Sequence, residues 1–225
     1  MEAPWGAVLF KEEKESHTLY TVQFFDNIIN VTLTSSAVEA IDWLNKTLSL
    51  HYNLLEKEEL VVGIGVQWNP IKDDNQESCA DILQLCIGDR CLIFQLSVPN
   101  AEFPVSLRTF LSNGKKKTFA GTMNVRECEK MLLKSRHQVE ISRLFHVRNH
   151  AISASGERLV DKDSVGEVVE KCLGYQGMKF QKAVTGSKWD DLVLNDDQVL
   201  LATVGAYVSF RIAKKCRAWK WCGRK

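Results

Sequence analysis

The spacing of apolar and polar positions changes period several times along the chain. Residues 19–25 (LYTVQFF) and 28–34 (IINVTLT) are rich in β-branched and aromatic residues, and Asp26-Asn27 between them supplies a two-residue turn. The pair predicts a hairpin. Ser36 followed by Glu39 is a capping-box signature. It opens a helix with Val38, Ile41, Leu44 and Leu48 along one side. Residues 60–68 (LVVGIGVQW) are short and nearly continuously apolar, the pattern of a strand buried on both faces. Residues 80–88 and 90–98 predict a second hairpin around Gly88-Asp89. Pro104 begins a short helix, NGKKK makes a basic loop, and 118–123 (TFAGTM) reads as a strand leading into a helix over 124–136. A short strand is expected at 139–145 (VEISRLF). Ser164 and Glu167 repeat the capping box before a helix over 165–174, and the last strong helix spans 196–215.

That order places three antiparallel strands around one central strand, then alternates helix and strand. It predicts an α/β fold with a mixed central sheet, three antiparallel strands plus parallel strands, flanked by helices. At 225 residues the chain has room for one such core. The expected organisation is a charged lead over 1–18, a single domain over 19–213, and a basic, Trp-containing tail over 214–225. The start lacks the basic and apolar regions of a signal peptide, and no run approaches the roughly 18–20 apolar residues of a membrane span. The expectation is therefore an intracellular protein, nuclear or cytoplasmic, with no membrane partner. Seven cysteines without a CxxC pair fit reduced, mostly buried thiols better than a zinc site. A net charge of +1 singles out no partner, so charge has to be read locally.

Four segments, in one order, carry a resemblance. VVGIGVQWNP (61–70) resembles a motif that reads V-G-x-D-x-E-W-x-P, and CADILQLCIGDRCLIFQL resembles the hairpin that follows it. PVSLRTFLSNGKKKTFAGTMNVRECEKM resembles a helix, strand and helix bearing a second motif. GSKWDDLVLNDDQVLLATVGAYVSFRI resembles a C-terminal motif. The family is the plant-type Werner-exonuclease group of 3′–5′ exonucleases, in the DEDD superfamily, and the likeness runs from about Leu19 to Ile212. It implies the ribonuclease-H-like exonuclease fold. It also implies hydrolysis from a 3′ end by two Mg²⁺ or Mn²⁺ ions, held about 3.5–4 Å apart by four carboxylates. A tyrosine four residues before the last Asp orients the attacking water in such enzymes.

The positions matching that site are Gly65, Gln67, Glu127, Leu201 and Gly205. The first motif needs acids at i and i+2, which a strand places on one face. Here Gly65 has no side chain and Gln67 has no charge. Glu127 is the one matching carboxylate, and its simpler reading is a solvated first-turn acid complementing a helix dipole. The last motif needs Tyr and Asp on one helix face and has Leu201 and Gly205; the position used by the histidine subtype is Leu200. With three negative charges lost, no metal and no cofactor is expected. Asp190, Asp191, Asp196 and Asp197, or His146 with His150, would be the material for a replacement site. Helix capping by Asp196 and Asp197 is the simpler account of that pair.

Lys115, Lys116 and Lys117 form a basic loop beside the second motif. The tail carries Arg217, Trp219, Lys220, Trp221, Arg224 and Lys225. Basic residues contact phosphates and aromatics stack on unpaired bases. The leading expectation is thus a degenerate exonuclease domain used as a nucleic-acid-binding or protein-interaction module, with single-stranded or 3′-end nucleic acid, a protein, or an active relative as partner. Two alternatives stay open. One is an active 3′–5′ exonuclease with a displaced or partner-completed metal site, and the other is a scaffold that dimerises with an active relative.

Overall fold

The protein is described by a computed structural model over residues 5–70, 78–160 and 162–223; Arg224 and Lys225 of the expected basic tail lie outside the described residues. The N-terminal part is a meander of β1 (Gly6–Glu13), β2 (His17–Phe24) and β3 (Asn27–Thr34). Helices α1 (Ala37–Leu50) and α2 (Tyr52–Glu56) lead to the central strand β4 (Leu60–Gln67), followed by β5 (Ile82–Ile87) and β6 (Arg90–Gln95). Then come α3 (Val105–Ser112), β7 (Lys117–Gly121), α4 (Val125–Lys134), β8 (Leu144–His146) and the single turn α5 (Val147–His150). The chain continues through α6 (Val165–Leu173), α7 (Lys182–Thr185) and α8 (Asp196–Lys215) to a 3₁₀ helix, η1 (Ala218–Gly223).

Among the described residues the strands form one eight-stranded sheet in the order β1-β2-β3-β6-β5-β4-β7-β8. The pairs β1–β2, β2–β3, β4–β5 and β5–β6 are antiparallel, while β3–β6, β4–β7 and β7–β8 are parallel. This is the mixed sheet flanked by helices that the element order predicts, with one strand more. Residues 6–13, expected as a lead, form the edge strand β1, and Trp5 is buried against Phe24 and Phe180.

Each side of the sheet carries its own core. On one side Trp43, Leu60, Phe94, Phe110 and Phe119 pack under α1, α3 and α4; on the other, Phe24, Ile82, Ile93 and Trp189 pack with α8. Fourteen of the twenty residues of α8 are buried, so this helix is apolar nearly all round and lies inside the molecule. All eight residues of β4 are buried, as its continuous apolar run requires. Its Gly63 permits the approach of α8, because a Cβ there would land on the Ala206 carbonyl and the Phe210 backbone.

Several expectations need correction. The buried face of α1 is Ala40, Trp43, Leu44 and Thr47, while Val38 is exposed. The docking stripe uses a small and a polar residue that an apolarity count passes over. The strand is confined to Leu144–His146, so only 144 and 145 of the expected 139–145 are extended, because Arg143 takes a left-handed backbone (φ 58°) that interrupts extension. Asn195, not Asp196 or Asp197, caps α8: its side chain accepts from the Gln198 N–H, and the Gln198 side chain accepts from the Asn195 N–H. Cys86 and Cys91, expected as free thiols, face each other across the β5–β6 hairpin and are joined as a disulfide. Among the described residues no helix is long and apolar enough to cross a membrane.

Candidate functional site

Side chains at alternate positions of β4 share a face, so Gly63, Gly65 and Gln67 all point toward α8. Antiparallel to β4, α8 brings Gly205 and Leu201 past the carboxyl end of that strand. The four positions Gly65, Gln67, Leu201 and Gly205 therefore line one cleft of about 570 Å³. Thr122 and Met123, just beyond β7, close one wall, and Val165, Phe180, Lys182 and Thr185 close another. Trp68 also faces the cleft, whereas Trp189 is fully buried and donates its indole N–H to the Thr185 carbonyl at 3.3 Å.

The space above Gly65 is filled by a residue that the motif comparison passes over. Gln84 on β5 is the cross-strand partner of Gly65, and a Cβ at position 65 would overlap the Gln84 carboxamide. Gln84 is completely buried, and neither its carboxamide oxygen nor its nitrogen has a hydrogen-bond partner among the described residues. The sequence signal for it was a lone amide in the apolar strand ILQLCI. Gly205 differs, because a Cβ there meets nothing. Below Gln67, the Asp81 carboxylate accepts the Asn69 N–H at 2.8 Å, and the Asn69 side chain accepts from the Trp189 N–H. These bonds tie the segment after β4 to the entry of α8. Burial pushes the Asp81 carboxyl above the usual carboxylate range.

Glu127 stands apart from this cleft. It is exposed in the first turn of α4 and is not among the lining residues. The replacement groups are dispersed too. Asp191 pairs with Lys188 at 2.6 Å, His146 Nε2 lies 3.3 Å from the Thr122 carbonyl, and the His150 ring stacks on Trp221. Among the described residues there is no cluster of three or more His, Cys, Asp or Glu able to hold a metal.

The basic features lie away from the cleft. Parallel pairing sets Lys117 beside Leu60, at the opposite end of β4 and β7 from Gly65 and Thr122. Lys117 is buried in β7 beneath the Phe110 ring, and burial lowers its ammonium pKa. Lys116 pairs with Glu56 at 3.0 Å, and Lys115 is exposed. The three lysines are thus not a loop array beside the second motif, as expected from sequence. The tail is docked rather than free: Trp221 is buried against Phe145 and His150, and Trp219 is half-buried against the core. Arg217 and Lys220 remain exposed.

No protein-family model matches the chain. A stretch of 157 residues is 27% identical to the mouse bifunctional 3′-5′ exonuclease/ATP-dependent helicase WRN, covering 69% of this chain and 11% of that protein. Among solved structures, the EXO domain of Aedes aegypti Nibbler matches with a TM-score of 0.54 and 13% identity, over 76% of this chain and 84% of that one. Escherichia coli RNase D, an exoribonuclease involved in structured RNA processing, gives 0.54 and 14%, over 76% and 42%. Trypanosoma brucei RNase D in complex with RNA U12 gives 0.51 and 14%, over 87% and 63%. The chain is thus similar to WRN over a small part of that protein's length, and it shares the mixed α/β, ribonuclease-H-like fold of these solved structures.

Proposed function

We propose that this homologue of a 3′–5′ exonuclease domain keeps the fold without the two-metal chemistry, and serves as a nucleic-acid-binding or protein-interaction module. The observation that carries this reading is the composition of the cleft. Its described lining residues include two amides, threonine hydroxyls and one lysine, and no carboxylate. Mg²⁺ and Mn²⁺ need hard, preferably charged oxygen ligands, and two such ions side by side need several. Gln67 and Gln84 offer only neutral carbonyl oxygens, while Lys182 adds a like charge at the rim. The RNA-bound RNase D neighbour makes nucleic acid a natural partner to test, and Arg217 and Lys220 supply exposed phosphate-contacting charge.

Incubation with end-labelled single-stranded DNA, single-stranded RNA and 3′-recessed duplex, in Mg²⁺ or Mn²⁺, tests the reading. The expected outcome is intact substrate and a melting temperature that does not respond to Mn²⁺. Nucleotide release that depends on Mn²⁺ and disappears in Glu127→Ala would establish the active-enzyme alternative instead. Gel-shift titration of the same oligonucleotides separates a nucleic-acid-binding module from a scaffold that binds protein alone.

A further inference from the structure

We infer that the hollow between the carboxyl end of α8 and the β5–β6 turn binds a terminal phosphate dianion. This site is separate from the cleft and goes beyond the metal-free reading, which can fail without touching it. Pairing of Ile82 with Gln67 and of Cys86 with Gly63 carries β5 away from the cleft, so the turn at Gly88-Asp89 lies toward the amino end of β4. There Leu173, Tyr207, Phe210, Arg211, Lys214 and Lys215 join the turn around a cavity of about 570 Å³.

Arg211, Lys214 and Lys215 stand at i, i+3 and i+4, which a helix sets on one face as neighbours. Like charges at that spacing repel. Among the described residues none of the three forms an ion pair. The Asp26 carboxylate accepts instead from the Asn27 amide and the Tyr175 hydroxyl, one residue removed from Arg211. Each cation is nonetheless held at the cavity. Arg211 is partly buried over the Tyr207 ring, and its Nη1 donates to Asn27 Oδ1 and, at 2.6 Å, to the Tyr207 hydroxyl. Both bonds fall on one nitrogen of a five-donor fork. Lys214 Nζ lies 5.6 Å from the centre of the Phe210 ring. Lys215 Nζ donates to the Cys172 carbonyl at 2.6 Å and keeps further N–H groups for a ligand.

Helix-end chemistry accounts for part of this charge. The dipole of α8 places about half a negative charge at its carboxyl end. Asp89 is the one carboxylate among the described lining residues. Against three cations these leave an excess of about +1.5. A terminal phosphate carries about −1.5 to −2 at neutral pH and presents three acceptor oxygens. An internal phosphodiester or a carboxylate carries a single charge and leaves part of the excess unanswered. The planar fork of an arginine also matches phosphate oxygens in pairs. Charge and donor geometry therefore choose a terminal phosphate, on a nucleic-acid end or on a small phosphate compound.

Phosphorus NMR titration of the full chain with inorganic phosphate, at low salt in EDTA, tests the site. The natural protein is expected to bind. Lys214→Gln with Lys215→Gln should weaken binding about tenfold or more, through two lost charge-assisted hydrogen bonds. Arg211→Lys, which keeps the charge and loses the fork, should weaken it as well, and the lysine variant decides if Arg211→Lys does not fold. Lys179→Ala, which removes an exposed charge elsewhere, should change nothing. Absence of binding at millimolar phosphate overturns the inference, as does unchanged affinity in the folded lysine variant or an equal loss in Lys179→Ala. Fluorescence anisotropy of one oligonucleotide with a 5′-phosphate or a 5′-hydroxyl separates the sources. Tighter binding of the phosphorylated form, lost in the lysine variant, makes the ligand a nucleic-acid end. Equal binding of the two forms, with free phosphate bound, makes it a small phosphate compound.

Discussion

Gly65 and Gln84 act as one feature written at two places in the chain. Their cross-strand register places the Gln84 carboxamide in the volume that any side chain at position 65 needs. A side chain at position 65 therefore needs Gln84 to move as well as a Cβ to be added. Restoring metal binding needs Gly65→Asp, Gln67→Glu, Leu201→Tyr and Gly205→Asp together, since a two-metal site works as a unit. The register adds Gln84→Ala. With clustered carboxylates and no metal, repulsion destabilises either combination. Mn²⁺ should raise the melting temperature of the five-site variant and leave the four-site variant unmoved, as read by thermal denaturation with and without Mn²⁺. An equal rise in both would show that Gln84 swings aside freely.

Two glycines that look alike in sequence have opposite roles where α8 crosses β4. At Gly63 an added Cβ strikes the Ala206 carbonyl and the backbone of Phe210, which cannot yield as a flexible side chain would. Gly63→Ala should destabilise the fold by about 1–3 kcal/mol, the usual cost of overpacking. At Gly205 the Cβ meets nothing, and the substitution removes a glycine from the interior of a helix. Gly205→Ala should stabilise by about 0.5–1 kcal/mol. Urea denaturation of the two variants checks the opposite signs. If both destabilise, the wall of the cleft at Gly205 is tighter than its open geometry indicates.

Across the molecule, the cleft and the basic tail sit at opposite ends of α8. Trp221 is a packing residue and Trp219 is half-buried, whereas Arg217 and Lys220 are exposed, so the charges are the tail's most accessible groups. Arg217→Ala with Lys220→Ala should flatten the salt dependence of single-strand binding by a slope of about 1.4, from roughly 0.7 for each phosphate left without its cation. Trp221→Ala should leave that slope unchanged and cost about 3 kcal/mol of stability, because the ring is buried on His150 and Phe145. Fluorescence anisotropy of a labelled oligonucleotide over a salt series measures the first effect, and denaturation the second. An unchanged slope in the double variant would move any binding surface elsewhere.

The sequence by itself determined the features that depend on neighbours within one strand or one turn of helix. The central strand, the two hairpins, the span of α8 and the capping box at Ser164 follow from periods of 2 and 3.6 and from local end signals. That Gly65 and Gln67 stand on one face of the strand, where the resembled motif carries acids, was legible for the same reason. Their convergence with Leu201 and Gly205 was expected from the motif order, and the fold brings them to one cleft. The Cys86–Cys91 pairing was within reach as well, since a two-residue turn at Gly88-Asp89 sets those residues opposite each other. Tertiary structure alone decided that β1 joins the sheet edge, that Lys117 is buried, that Trp221 docks and that Glu127 stands clear of the cleft. It also decided that Gln84 fills the place of a side chain at Gly65. Each of these depends on contacts between residues distant in sequence, where neither hydropathy nor spacing specifies which surfaces meet.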